Sequence, residues 1–346
     1  MQMITIKEIA EIVGVSTTTV SNVIHGKTKK VSEQNIQKIQ KVLREKNYIA
    51  PMGLSMLTNR QSRMIGVVIH ETKHYGDTLI ADPFYSQVIG VIEKQLRESG
   101  YYMMLYSSDN LDDIFHMAVA WNVDGLICLS FTLNDYNKIR SLTQKPAVAI
   151  DIYNDNLGDY YNVGLQDEMG GYLMTKYLIE SGYQKIFALA LRDLGVDHDR
   201  YMGYRRALKE YGLPYKKEYF IALYDDSGKR QQNYERLCQF MKKDYAMFFF
   251  SDWYAIEAMT YFQRKGYQVP EDISIVGFDN MYFAEMCAPT LTTICQDAGE
   301  KACKAVEMLL KLLSGENVEE KIVLLPVRLI LRESVKKREN NKVSER

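Results

Sequence analysis

Val15-Ser16-Thr17-Thr18-Thr19-Val20-Ser21-Asn22-Val23-Ile24-His25-Gly26 is the stretch on which the reading of this chain turns. Val20, Val23 and Ile24 fall on one side of a helix that runs from Thr17 to Ile24, and Ser16 is a favoured N-cap for it. Immediately upstream, Thr5 and Glu8 form a Thr-x-x-Glu capping box, the pattern that satisfies two orphan helix donors reciprocally. Ile6, Ile9, Ala10 and Val13 then make a helical apolar stripe, and Gly14 ends that helix and permits a tight turn. Downstream, Ser32 is placed to cap a third helix with Ile36, Ile39 and Leu43 inward. Two short helices joined by a tight glycine turn form a unit whose second helix can lie in a DNA major groove.

The outward side of that second helix carries Thr17, Thr18, Ser21, Asn22 and His25. These short hydrogen-bonding groups, with no acid among them, suit close approach to phosphates and base edges. A plain helical bundle with a polar surface is the competing reading. Charge favours the DNA reading. Residues 1–63 hold ten Lys or Arg against four acids, +6, while the whole chain is -1, which leaves -7 on the remainder. A basic head on an acidic body is expected when one end alone meets a polyanion.

Residues 49–63 read as neither strand nor strong helix. Pro51 can open one turn of helix, but Gly53 weakens it by roughly 1 kcal/mol relative to Ala. Such a segment is expected to fold only against DNA or a partner. From Met64 the grammar changes to buried strands alternating with amphipathic helices. Strands are expected at Ile65–Ile69, Tyr101–Tyr106, Asp124–Leu129 and Ala147–Ile150, with helices at Pro83–Ser99 and Leu111–Trp121. The pattern then restarts: helices Met169–Ser181, Tyr201–Tyr211 and Asp252–Lys265, strands Lys185–Leu191, Phe220–Tyr224, Ala246–Phe250 and Ile273–Val276. The expected fold is an all-α head followed by an α/β body of two doubly wound parallel-sheet halves. Small ligands bind at the carboxyl ends of such strands. Segments Glu300–Leu313, Ile322–Leu325 and Arg328–Leu331 are expected to return to the first half. The expected boundaries are 1–49 for the head, 50–63 for the linker, 64–333 for the body and 334–346 for a charged, disordered tail.

Composition is ordinary for a globular chain of 346 residues, with 47% hydrophobic and 25% charged residues. It contains no apolar run near the ~18 residues that span a bilayer. The polar start predicts no signal peptide and a cytoplasmic protein. Five cysteines without C-x-x-C spacing read as reduced thiols, and five scattered histidines predict no metal site. No phosphate-cradling glycine loop and no G-x-S-x-G is present, so neither a cofactor nor catalysis is expected.

Several strings, in order along almost the whole chain, resemble the lactose repressor family of bacterial transcription regulators. They are the Val15–Gly26 stretch, Met64-Ile65-Gly66, Asp124-Gly125-Leu126-Ile127, Arg200-Tyr201-Met202-Gly203-Tyr204, Val269 to Asn280, and Pro289 to Ile294. The resemblance implies a homodimer on double-stranded operator DNA, with a small-molecule effector in the cleft of a periplasmic-binding-protein-like body. It places DNA contacts at Thr5, Ser16, Thr17, Thr18, Ser21, Asn22 and His25, and a minor-groove wedge at Leu57. Effector contacts are expected at Asp82, Phe84, Tyr85, Arg200, Asp252, Trp253 and Asp279, with Asp151 and Gln296 as weaker choices. Arg200 and Asp279 match the family's ligand-contacting Arg and Asp, although a structural ion pair would also explain them. Phe84 and Trp253 read equally as core.

The departures are specific. Asn22 stands where many members have Arg, which implies an operator without the usual guanine requirement there, since Asn pairs with adenine. Ala50, Pro51, Leu54 and Ser55 replace the usual hinge residues. Gln166-Asp167 and Ser251-Asp252, with bulky Trp253, replace pocket pairs. The expected function is a repressor of a carbohydrate-use operon. A solute-binding protein for a transporter and a cytoplasmic sugar-binding or sugar-processing protein share such a body and remain the alternatives.

Overall fold

The structure is a computed structural model that describes residues 4–24, 27–46, 48, 62–70, 79–152, 159–241 and 245–338. In the head, α1 (Ile6–Val13) begins with the expected capping box. The Thr5 hydroxyl accepts from the Glu8 N–H at 3.3 Å, and the Glu8 carboxylate accepts from the Thr5 N–H at 2.7 Å. Gly14 closes α1 at φ +75°, a left-handed conformation that glycine adopts at no steric cost. In α2 (Thr17–Ile24), the Ser16 hydroxyl accepts from the Thr19 N–H at 3.1 Å. Helix α3 (Glu33–Glu45) follows Ser32, but that serine makes no side-chain capping bond, contrary to the sequence expectation. Ile9, Ala10, Val20, Val23 and Ile39 meet in the buried centre of the head.

The first half of the body is a parallel sheet in the order β11-β5-β4-β3-β1-β2. These strands are β1 (Met64–Ile69), β2 (Tyr102–Ser107), β3 (Gly125–Leu129), β4 (Ala147–Ile150), β5 (Asn162–Leu165) and β11 (Ile322–Leu325). Strand β1 lies inside the sheet, with Ile65 beside both Met103 and Gly125, and every one of its residues is buried. That explains its continuous apolar run, as for a strand covered on both faces. Helices α4 (Pro83–Glu98), α5 (Leu111–Ala120) and α6 (Leu133–Thr143) connect these strands.

The second half is a parallel sheet in the order β7-β6-β8-β9. It comprises β6 (Lys185–Ala190), β7 (Phe220–Ala222), β8 (Tyr245–Phe249) and β9 (Ser274–Val276), with α7 (Asp167–Glu180), α8 (Val196–Glu210), α9 (Ser227–Leu237) and α10 (Asp252–Arg264). The chain then re-enters the first half through α11 (Ala298–Ser314), which packs on α4, β3 and β4. One core cluster runs through both halves, from Ile65 and Leu96 to Tyr204 and Phe278.

Three expectations need correction. Arg328–Ile330 (β12) does not join the first sheet but pairs antiparallel with Thr293–Cys295 (β10) in a ribbon of its own. The body does not end at Glu333. Ser334 is buried, its carbonyl accepts from the Ile275 N–H at 3.1 Å, and the Arg338 N–H reaches the Ser181 carbonyl at 2.9 Å. The remaining tail lies outside the described residues. Helices α7 and α8 start two and five residues earlier than expected. The sequence pattern does not announce α6, α9, β5 and β10. Each is either short or rich in polar residues, so periodicity is weak there.

Candidate DNA-binding face and effector cleft

The head presents Ser16, Thr17 and Thr18 as exposed side chains, with Ser21 and Asn22 half-buried one turn further on. Thr5 is exposed and committed to its capping box. The face therefore consists of hydroxyls and one amide on a short helix, the shape that fits a groove. His25 and Leu57 lie outside the described residues, as do residues 50–61 of the hinge expected at 50–63.

The body site starts from a close helix crossing. A Cβ on Gly171 of α7 would sit 2.0 Å from the Arg200 carbonyl, and one on Gly203 of α8 would sit 1.9 Å from the Glu168 carbonyl. The two glycines thus let α7 and α8 touch backbone to backbone. That contact brings the first residue of α7, Asp167, to the Arg200 side chain.

Arg200 is buried, and its Nε donates to Asp167 Oδ1 at 2.7 Å. One Nη donates to the Phe250 carbonyl at the end of β8 and lies 3.8 Å from Asp279 Oδ1. The guanidinium stacks 3.6 Å above the Phe278 ring, a favourable cation–π position. Burial alone would disfavour its charge, but Asp167, Asp279 and Asp197 hold its pKa above the ordinary value.

Asp279 is also buried, and Gln296 Nε2 donates to it at 2.6 Å while the Ser251 hydroxyl donates at 3.1 Å. Burial pushes its carboxyl up to about 6, against the pull of Arg200 and these hydrogen bonds. Asp197, in the first turn of α8, is likewise pushed up to about 7 by burial, against the attraction of Arg200.

Some of the backbone strain lies at the same strand ends. Ser130 follows β3 at φ +57°, Asp151 follows β4 at φ +61°, and Asp279 lies beyond β9 at φ +125°. Non-glycine residues in the left-handed region cost free energy and cluster at ligand sites. In both sheets the strand order reverses beside a central strand, at β1 and at β6, where α/β proteins form their ligand crevice.

The first half contributes the start of α4. Asp82 is buried and caps α4, accepting from the Phe84 and Tyr85 N–H groups at 2.8 and 3.4 Å. The Phe84 and Tyr85 rings stand edge to face at 5.6 Å, and the Tyr85 hydroxyl bonds Ser130. Trp253 is half-buried at the start of α10, with its ring 6.2 Å from Phe283.

Asp252 is placed differently from the expectation. It is fully buried, and its oxygens accept from the Thr293 hydroxyl at 2.6 Å and the Met281 N–H at 2.9 Å. A Cβ on Gly277 would fall 2.1 Å from it. Asp252 thus ties α10 to β10 and the loop before it, rather than facing a cleft. Burial first, and then the charge of Asp279, raises its pKa well above the usual carboxylate range.

From the sequence, Asp167 stands only as half of an altered pocket pair, Lys301 is not singled out, and Asp151 and Gln296 are weaker choices. Lys301 Nζ donates to both Asp151 oxygens at 2.8 Å and to Gln296 Oε1 at 3.0 Å. One signal was present in the sequence. Lys301 shares the apolar stripe of α11 with Ala298, Ala305 and Leu309, where a lysine needs a partner. Among the described residues, no cluster of His, Cys, Asp and Glu has the arrangement of a metal site.

Known proteins match this architecture throughout. Residues 5–50 match the bacterial regulatory proteins of the lacI family, and residues 175–335 match the periplasmic binding protein-like domain. An HTH-type transcriptional repressor PurR from Aliivibrio salmonicida (strain LFI1238) is 30% identical over 342 residues, 97% of this chain and 100% of that protein. The crystal structure of the Lac repressor dimer bound to operator and the anti-inducer ONPF superposes with a TM-score of 0.82 at 25% identity, covering 97% of this chain and 100% of that one. A periplasmic binding protein/LacI transcriptional regulator from Alkaliphilus metalliredigens QYMF, complexed with D-xylulofuranose, gives a TM-score of 0.66 at 25% identity, covering 79% of this chain and 99% of that one. The chain belongs to the lacI family: it is a DNA-binding transcriptional regulator with a helix-turn-helix head and an effector-binding body.

Proposed function

We propose that this chain is a homodimeric cytoplasmic repressor of a carbohydrate-use operon, and that a sugar or related polyhydroxylated metabolite in the body cleft controls its hold on the operator. The buried Arg200–Asp279 pair at the strand ends carries this reading. Charge-assisted donors and acceptors side by side suit the hydroxyls of a sugar. The regulator crystallised with D-xylulofuranose supports the same ligand class.

Phosphate contacts by the basic head supply affinity, and Thr17, Thr18 and Asn22 supply specificity. Two heads are needed because one reads too few base pairs for a selective site. Residues 50–63, with Leu57, act as the hinge in the minor groove. Residues 64 to 338 form the effector-binding and dimerisation unit.

The test is operator selection from random duplexes at low ionic strength, followed by titration with salt and with sugars. The expected result is a palindromic site, an affinity that falls steeply with salt, and a shift of at least about fivefold with one sugar. A protein that prefers no sequence over random duplex, with or without sugars, overturns the proposal. Turnover of a sugar by the purified protein would favour the enzyme alternative.

A further inference from the structure

A buried lysine lies outside every string that carries the family resemblance. Lys301 is the fourth residue of α11 and is 1% exposed. Its ammonium has three donors, and all three are placed. Two go to the two Asp151 oxygens at 2.8 Å, and the third goes to Gln296 Oε1 at 3.0 Å. The charge also lies 5.2 Å from the centre of the Phe84 ring, at the start of α4.

Gln296 is the link between the two halves. Its carbonyl end faces Lys301 and its amide end donates to Asp279 at 2.6 Å. Both neighbours enforce that orientation, since a flipped amide would meet an ammonium with its donor and a carboxylate with its acceptor. A continuous chain results: Asp167, Arg200, Asp279, Gln296, Lys301, Asp151. It holds three carboxylates against two cations. Asp197 adds a further acid beside Arg200.

We propose that Lys301 and Asp151 form a specificity-determining pair on the first-half wall of the effector site, and that the site selects an uncharged polyhydroxylated ligand over a phosphorylated or carboxylated one. This rests on the effector-site reading given above. A ligand hydroxyl donates to a carboxylate, and the cation paired with that carboxylate holds it in position and balances its charge. In the Asp151 pair the ammonium donors are already placed, so Asp151 takes the hydroxyl and Lys301 acts through it. The site offers two carboxylates held in this way, Asp279 beside Arg200 from the second half and Asp151 beside Lys301 from the first. An anionic ligand gains little here. Each cation is already neutralised, and the excess carboxylate repels a second negative charge in a buried setting where screening is weak. Lys301 also balances the Asp151 charge and fixes its position, which a neutral residue at 301 would not do.

The experiment uses the full-length protein and matched probes: ribose with ribose 5-phosphate, glucose with glucose 6-phosphate, and glucose with gluconate. Binding is read by calorimetry in wild type, in Asp151→Asn and in the double variant Lys301→Met/Asp151→Asn. In wild type, at least one neutral sugar binds at least about tenfold more tightly than its anionic partner. Asp151→Asn frees the ammonium charge and narrows or reverses that preference by about tenfold or more. The double variant removes both charges without leaving either one buried alone, so it remains informative if Asp151→Asn fails to fold. It weakens the neutral sugar by about tenfold and narrows its advantage over the anion. An anionic probe that binds wild type more tightly than its neutral partner overturns the inference and leaves the effector-site reading standing. Unchanged selectivity in a folded variant overturns the role of the pair. Silence of both members of every pair in wild type overturns the inference and the effector-site reading together.

Discussion

The head and the cleft solve opposite problems with polar side chains. In the head, Ser16, Thr17 and Thr18 stand exposed on one short helix. At the proposed effector site, Asp167, Arg200, Asp279, Gln296 and Lys301 are all buried and satisfy one another across segments that lie far apart in the chain. A surface for a polyanion needs only short groups free of repulsion. A buried ligand site must be held in order before the ligand arrives, and mutual ion pairs supply that order. On the proposed function, damage to the cleft is therefore a matter of stability and response, whereas damage to Thr17, Thr18 or Asn22 on the DNA face is a matter of operator affinity and sequence preference.

The largest expected break is Arg200→Ala. It leaves Asp167 and Asp279 buried without their shared cation, and removing one partner of a buried pair typically costs about 3–5 kcal/mol. Denaturant unfolding of the body should show that loss, and the operator should no longer respond to a sugar. Full stability with an intact response would undo the account of the cluster.

Gly203→Ala comes next. The new methyl has no room against the Glu168 carbonyl, so α7 and α8 must separate. Overpacking of this kind costs about 1–3 kcal/mol, and ligand affinity should fall even though residue 203 is placed in no ligand contact. The matching change in the head, Asn22→Ala, should leave body unfolding unaltered. It should remove about 1–3 kcal/mol of discrimination at one base pair, read by competition among operator variants. An obligatory guanine at that position, lost in the variant, would contradict the adenine reading.

The smallest effect concerns pH. The folded state raises the pKa of Asp252, so it favours the neutral acid. That contribution is present below the ordinary carboxylate pKa and is lost as pH rises through the raised value. A carboxamide in its place cannot titrate. The Asp252→Asn protein should therefore lose less thermal stability than wild type as pH climbs from below the ordinary carboxylate pKa of about 3.9 towards the raised one. Parallel Tm profiles would show that Asp252 is not the group responsible.

The same contrast explains what could be read in advance. The head is local: cap, turn and apolar stripe fall within a few residues, so the capping box at Thr5 and Glu8 and the helix after Ser16 were legible. The alternation of strands and helices in the body was legible for the same reason. The cleft is not local. Arg200 and Asp279 were found only through the resemblance, and nothing near Asp167 in the chain announces Arg200 as its partner. The glycine contact that joins them is a tertiary fact. Asp252 misled because its position next to the strand end is right while its direction is set by Thr293, 41 residues away. Lys301 is hard to read because a single charged residue in an otherwise apolar stripe looks like an interruption.

The chain passes between the two halves three times, after β5, before α11 and after β11, and its last described residues are stitched to the second half at Ile275 and Ser181. Neither half is therefore a contiguous piece of gene. A chimaera that exchanges one half between relatives needs three simultaneous junctions, and a reporter fused upstream of residue 338 would unpick a seam of the fold. Exchange of the whole body at the single junction near residue 62 avoids both difficulties and gives the natural cassette for rewiring which signal reaches which promoter.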